Sequence, residues 1–300
     1  MIFDVIGFGA LNVDKLYKVN MIAKEEEEGF VIDFKEAPGG SAANTIVGLA
    51  RLGLKTGFIG SVAEDREGRL LINDFRKEKV DTNGIIVSKR GRSGVVMGYI
   101  DRKGERALYV DPGVNDSLEF KGINLEYVSR TNFLHLTSFV GEKPFEAQKE
   151  LVKKLSDIQI SFDPGALYAR KSLTSLKPII KRSFVMIPNE IEIRLLTGKD
   201  CERGSKTLIE EGVSVVAVKL GERGCYVTDG KESHFVEPFE KKLVDTTGAG
   251  DAFCAGFLYG LIKGRDLYEC GRIGNFVAAR CISKMGARTG LPRLPDLKDF

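Results

Sequence analysis

Apolar and polar positions along this chain change period several times, and the changes mark its elements. At the start, "FDVIGFGALNVDKLYKV" alternates, breaks at glycines and alternates again, which predicts strand, turn, strand. "GFVIDFKEA" (29–37) keeps a period of two and predicts another half-buried strand. In "PGGSAANTIVGLARLG" the spacing switches: Ala43, Ile46, Val47, Ala50 and Leu52 form a helical stripe that Gly53 stops. "KTGFIGSVA" predicts a short buried strand. "REGRLLINDFRKEKV" predicts an amphipathic helix with Leu70, Leu71 and Phe75 inward. From Arg90 to Asn115, "SGVVMGYID", a turn at "RKGE" and "RALYVDPG" predict a hairpin with an arginine-rich tip.

Beyond that hairpin, apolar runs alternate with helical stripes. "TNFLHLTS" precedes the helix "KPFEAQKELVKKL", "IQISFDPG" precedes "SLTSLKPIIKR", "FVMIPN" precedes "EIEIRLLTG", and "SVVAVKLG" follows "GSKTLIEEG". Alternation at this spacing predicts a parallel sheet covered on both faces. The β-rich early pieces do not fit that rhythm. They predict a small β appendage, from about residues 11–38 and 88–114, on a single α/β domain spanning 1–300. No internal repeat or low-complexity linker interrupts it.

Composition narrows the class. The chain is 43% hydrophobic and 29% charged, enough for a large core. A formal charge of +3, no tryptophan and no arginine-rich run with interleaved aromatics give no support to a nucleic-acid partner. "MIFDVIGFGA" lacks the basic start of a signal peptide, and no apolar run is long enough to span a bilayer. The five scattered cysteines form no CxxC pair, so they read as reduced thiols in a cytoplasmic protein. His135 and His234 stand alone and read as structural.

The candidate chemistry sits in "LVDTTGAGDAF" (243–253), a strand-like run, a glycine turn and the start of the helix "DAFCAGFLYGLIKG". A helix start offers unpaired N–H groups and positive dipole charge, and glycines let an anion approach them. A helix-capping role would by itself account for Asp251. It accounts less well for two glycines and two threonines crowded beside it. The chemical reading is an anion hole at Gly248, Ala249 and Gly250 with a carboxylate able to take a hydroxyl proton, as phosphoryl transfer requires. Rival phosphate motifs are incomplete: no GxxxxGK[ST] is present, and "GFGALN" has Asn12 where a dinucleotide fingerprint needs its third glycine. Gly256 and Gly260, four apart on that helix, read as places of close packing.

Two segments together, "GGSAANTIVGLARLG" and "DTTGAGDAF", resemble the paired signatures of the ribokinase family, or PfkB carbohydrate kinases. "DPGVNDSL", "NEIEIRLLTG" and "VKLGERGCYV" stand in that family's order. The resemblance implies a ribokinase-like three-layer α/β sandwich with a mostly parallel central sheet and a β-sheet lid. It implies Asp251 as catalytic base and Gly248, Ala249 and Gly250 as anion hole. Asn12, Asp14, Gly39, Gly40 and Asn44 would bind the sugar. Asn189, Lys219, Gly221, Gly224 and Asn275 would bind nucleotide, and Glu192 would organise Mg²⁺ through water. Asp245 and Thr247, with carbonyls of "SKMGARTG", would hold a monovalent cation such as K⁺. A homodimer through the lids is implied as well.

The resemblance implies ATP as phosphoryl donor and a sugar as acceptor. Nucleosides and sugar phosphates (ribose 1-phosphate or fructose 6-phosphate) remain open, as does a non-catalytic sugar or nucleotide sensor on the same scaffold. Lys89, Arg90, Arg92, Arg102 and Arg106 on the hairpin would read an acceptor phosphate if they turn inwards. Asp163, at a strand end, is a candidate for placing phosphate groups, and Tyr168 or Arg170 for touching substrate or lid. Thr137 and Ser138 stand where ribose-specific relatives often carry a carboxylate, with Glu142 near but displaced.

Overall fold

The computed structural model describes residues 2–298 and 300. The elements run β1 (Phe3–Phe8), β2 (Asn12–Val19), β3 (Val31–Gly39), α1 (Ser41–Arg51), β4 (Thr56–Ala63), α2 (Arg66–Lys77), β5 (Ile85–Ser88), β6 (Gly94–Ile100) and β7 (Arg106–Asp111). There follow α3 (Leu125–Val128), β8 (Thr131–Thr137), α4 (Glu142–Lys154), β9 (Gln159–Asp163), α5 (Gly165–Ala169), α6 (Leu173–Ile180), β10 (Ser183–Met186) and α7 (Glu190–Thr197). The chain ends with α8 (Cys201–Glu210), β11 (Val215–Lys219), β12 (Cys225–Thr228), β13 (Ser233–Val236), α9 (Ala249–Ile262) and α10 (Leu267–Ile282).

Nine strands form one sheet in the order β13-β12-β11-β10-β9-β8-β1-β4-β5. All neighbours are parallel except β11–β12 and β12–β13, which are antiparallel. Alternation along a strand sends side chains to opposite layers. On β11, Val215 and Ala217 enter one core with α1, α9 and α10, while Val216 and Val218 enter the other with α4, α6 and α8. This is the sheet covered on both faces that the alternation of elements predicts, in the mostly parallel, three-layer form that the resemblance implies. Among the described residues no helix is long and apolar enough to cross a membrane.

A second sheet has the order β3-β2-β6-β7, with β2 and β6 parallel. It is anchored to α2 by Lys15–Glu67 at 2.7 Å and Arg66–Glu36 at 2.6 Å. Ile85–Ser88 does not join it: that strand pairs with β4 at the edge of the large sheet. The α9 and α10 helices pack closely because a Cβ at Gly256 would lie 2.6 Å from Ile273 O, and one at Gly260 would lie 2.9 Å from Cys270 Sγ.

Candidate functional site

The ends of β8, β9 and β11, the start of α7 and the start of α9 meet around a cleft of about 400 Å³. Thr137, Asp163, Glu192, Lys219 and Asp251 line it. That is the carboxyl edge of the parallel strands, where open α/β sheets bind ligands.

The helix cap of α9 is Gly248, not Asp251. Gly248 has φ 77°, and a Cβ there would stand 2.6 Å from that of Ala287, so glycine is needed twice over. Asp251 is therefore in the first turn with its carboxylate free for other work. Its Oδ2 accepts from Asn44 Nδ2 at 2.9 Å, and its backbone carbonyl accepts from Thr45 Oγ1 at 3.1 Å. Oδ1 accepts no hydrogen bond among the described residues. Burial pushes this carboxyl up to about 7, against the Asn44 hydrogen bond; Asp163 adds to the rise, while Lys219 and Arg288 oppose it. Ala249 N–H donates to Thr246 O at 3.2 Å, so it is not an open anion donor. Among the described residues the N–H groups of Gly248, Gly250 and Asp251 have no such partner.

Lys219 ends β11 and pairs with Asp163 at 2.5 Å, the two side chains being 13% and 8% exposed. A Cβ at Gly250 would lie 3.5 Å from Lys219 Nζ, so the ammonium stands at the mouth of α9. Burial works against its charge, but Asp163 and Glu192 outweigh that and hold it well above its usual range. Asp163 also accepts from Gly165 N at 3.2 Å and Cys254 Sγ at 3.3 Å. Asn189 caps α7: its Oδ1 accepts from Glu192 N at 2.8 Å, while Glu192 Oε2 accepts from Asn189 N at 2.7 Å. Burial and the neighbouring Asp163 raise the Glu192 carboxyl, and Lys219 lowers it.

Beside this cleft lies a second group, joined to Asp251 through Asn44. On the small sheet Asn12 pairs with Gly39 and Asp14 with Ala37, and the Asp14 carboxylate leans over Gly39, where a Cβ would come within 2.3 Å of it. Burial raises Asp14 to about 6, against the positive charge of Arg288. Asn115 donates to Asn12 Oδ1 at 3.1 Å and brackets the Leu11 backbone through both N–H and carbonyl. Gly40 starts α1 with φ 99°, and a Cβ there would lie 2.3 Å from Ala10 O. Arg288 completes the group, with Nε donating to Asn44 Oδ1 at 2.7 Å.

Other expected residues fall elsewhere. Asn275 Nδ2 donates to the carbonyls of Val236 and Glu237 at 3.0 and 2.9 Å, tying α10 to the end of β13. Gly224 abuts the same carbonyl, since a Cβ there would lie 2.0 Å from Val236 O, while Gly221 lines the cleft. Asp245 Oδ1 accepts from Thr247 N and Oγ1 at 2.9 and 2.7 Å, and its Oδ2 from Gly286 N at 2.8 Å. The carbonyls of Arg288 and Leu291 accept from Arg51. Tyr168 is not a substrate contact: it is fully buried against Phe145 and Phe162, and its hydroxyl donates to Gln148 Oε1 at 3.0 Å. Glu142 pairs with Lys171 and does not line the cleft. The five hairpin cations Lys89, Arg90, Arg92, Arg102 and Arg106 are exposed, with Arg92 paired to Asp111. His135 is buried, hydrogen-bonded to Ser161 at 3.0 Å and held down to about 4 by burial, which fits a structural role.

Residues 4–294 match the pfkB family of carbohydrate kinases. An uncharacterized sugar kinase of Archaeoglobus fulgidus is 46% identical over 253 residues, which make up 83% of this chain and 100% of that protein. Ribokinase from Thermotoga maritima has a TM-score of 0.89 at 27% identity, with 99% of this chain and 98% of that one covered. Ribokinase from Arabidopsis thaliana, complexed with ribose and ATP, has a TM-score of 0.89 at 22% identity, covering 100% of this chain and 98% of its own. At that identity the likeness is one of fold.

Proposed function

The chain belongs to the pfkB family of carbohydrate kinases, and from that premise we propose that it transfers the γ-phosphoryl group of ATP to a primary hydroxyl of an unphosphorylated furanose sugar or nucleoside. The observation that carries this reading is Asp251: one oxygen held by Asn44, the other without a donor among the described residues, in the first turn of a helix beside Lys219. In this reading Asp251 Oδ1 accepts the proton of the attacking hydroxyl. The N–H groups of Gly248, Gly250 and Asp251 and the Lys219 ammonium take up the charge of the transferred group. Asn12, Asp14 and Asn44 meet sugar hydroxyls, which need both donors and acceptors, and Gly39 and Gly40 let the sugar lie against the backbone. Asn189 and Gly221, which line the cleft, would border the nucleotide, while Gly224 and Asn275 would shape its site through the backbone at the end of β13.

Glu192 suits magnesium, a hard cation that prefers oxygen ligands and keeps most of its waters. Its Oε2 is engaged by the helix cap, and among the described residues Oε1 accepts no hydrogen bond, so one oxygen can hold a magnesium-bound water. Magnesium bound with ATP would supply neutralising charge on the phosphates. Among the described residues no cluster of three or more metal-ligating side chains exists, so protein ligands alone would not hold it. Among the described residues Asp245 Oδ1 accepts from Thr247 and Oδ2 from Gly286 N alone, so the carboxylate keeps acceptor capacity that a monovalent cation would use, while Arg51 engages the carbonyls of Arg288 and Leu291. We route no step through a monovalent cation.

None of the five hairpin cations lines the cleft, which favours an acceptor without a phosphate of its own. The five free thiols, four of them buried, suit a reducing compartment, and we place the enzyme in the cytoplasm. A homodimer through the small sheets is part of the same reading. The test is ADP release with Mg²⁺ against ribose, fructose, fructose 6-phosphate, ribose 1-phosphate, adenosine, inosine and cytidine. A sugar or nucleoside responder supports it. A phosphorylated responder overturns the acceptor assignment, and ATP binding with no turnover on any acceptor would favour a sensor.

A further inference from the structure

The Arg288 side chain has no part in the motif readings, which use only the carbonyls of "SKMGARTG", yet it reaches into the sugar side of the site from the loop after α10. Its Nε donates to Asn44 Oδ1 at 2.7 Å, one terminal nitrogen pairs with Asp74 of α2, and the other reaches Gly39 O at 3.4 Å. The guanidinium carbon lies 5.9 Å from the centre of the Phe75 ring. The group is thus locked by an ion pair below, an aromatic ring at one side and a backbone carbonyl at the other.

The chemistry of the pair gives this lock a direction. An amide presents an acceptor at one end and donors at the other. A guanidinium has donors only, so Arg288 can meet only the oxygen of Asn44. The Asn44 nitrogen is thereby turned towards Asp251, where it donates to Oδ2 at 2.9 Å. With the amide reversed, two donors would face each other at Arg288 and two acceptors at Asp251.

We propose that Arg288 is the positioning residue of the catalytic base: it holds Asn44 oxygen-first, so that the Asn44 N–H occupies Asp251 Oδ2 and Oδ1 alone is left for the acceptor hydroxyl. This rests on the reading of Asp251 as the base. It also joins the sugar pocket to the base through one side chain, since the Arg288 charge acts on Asp14 as well as on Asp251. Asp74 is the anchor that keeps the guanidinium in place.

The test uses the full chain and needs no known acceptor. The difference in Tm between the protein and its Asp251→Asn variant, followed from about pH 5 to about pH 9, reports the titration of Asp251 through linkage. In an Arg288→Gln background the midpoint of that difference moves upwards by about one unit, as expected for losing a nearby opposite charge and an oriented donor. Arg288→Lys keeps the charge but cannot hold Asn44 and Asp74 together, and serves if the glutamine variant does not fold; it shifts the midpoint in the same direction, by less. With an acceptor in hand, kcat falls about tenfold in either variant while the KM for ATP stays put. An unmoved midpoint in both backgrounds, or kcat within about twofold of the parent, overturns the role of Arg288. Wild-type turnover in Asp251→Asn instead overturns the base, which is a separate failure.

Discussion

Asp251 Oδ2 and Asn44 Nδ2 are 2.9 Å apart across 207 residues of sequence, and the other Asp251 oxygen accepts no hydrogen bond among the described residues. One oxygen is held and its twin is left without a donor there, on a residue that lines the cleft, which is the asymmetry a general base needs. Asp251→Asn is near in shape and retains an oxygen for Asn44. It is expected to lower kcat by about 10² to 10⁴ while ATP and acceptor still bind. Steady-state rates and calorimetric titration of each ligand check this. A variant keeping a tenth or more of the parental kcat would remove Asp251 from the role.

The raised carboxyl of Asp251 gives turnover a pH dependence. Only the ionised form can take a proton, so kcat/KM, which reports the free enzyme, falls on the acid side with a midpoint near 7. Stability moves the other way. The folded value lies above the ordinary 3.8, so between those values the folded state binds more protons than the unfolded chain. Stability from this group is present at low pH and is lost as pH rises through about 7. Asp251→Asn should therefore raise Tm at pH 8 and do so less at pH 5. Equal Tm differences at the two pH values would contradict the shift.

Lys219 and Asp163 form a buried ion pair at the place where phosphate would arrive. Removing one partner of such a pair leaves a buried charge uncompensated, typically at a cost of about 3–5 kcal/mol. Asp163→Asn should lower Tm by several degrees. ATP brings negative charge to the orphaned ammonium, so it should restore more of the Tm in this variant than it adds to the parent. Thermal shift with and without ATP measures both. The expectation fails if ATP raises both proteins equally.

Much of this arrangement was legible because its signals are local. The strand–helix alternation from 131 onward and the glycine turn before α9 each lie within a few residues. Other parts were not. β5, β12 and β13 have four residues each, too few for a period to declare itself. Tyr168, next to "DPG", suggested a substrate contact, but its ring fills the core and Gln148 satisfies its hydroxyl. Arg288 read as backbone in a turn, since the partner that gives it meaning, Asn44, is 244 residues away. Ala249 belonged to the expected anion hole, yet the turn that places it also takes its N–H for Thr246 O.

The small sheet carries the last prediction. Tyr17 stacks on Tyr99 at 5.2 Å and meets Phe34 at 4.9 Å, while Tyr99 meets Tyr109 at 6.0 Å, so aromatic rings run across all four strands on one face. Phe34 and Tyr109 remain 46% and 60% exposed there, and both edge strands, β3 and β7, are open. A continuous apolar face between unpaired edges is costly in water and prone to pairing. A second copy of the sheet would cover it, so light scattering on a sizing column should find a dimer at micromolar concentration. Phe34→Lys with Tyr109→Lys puts like charges on that face and should give a folded monomer. Its KM for the acceptor should rise, because β2 of the same sheet carries Asn12 and Asp14. A parent protein that is already monomeric, or a charged variant that remains dimeric, would put the contact elsewhere or nowhere.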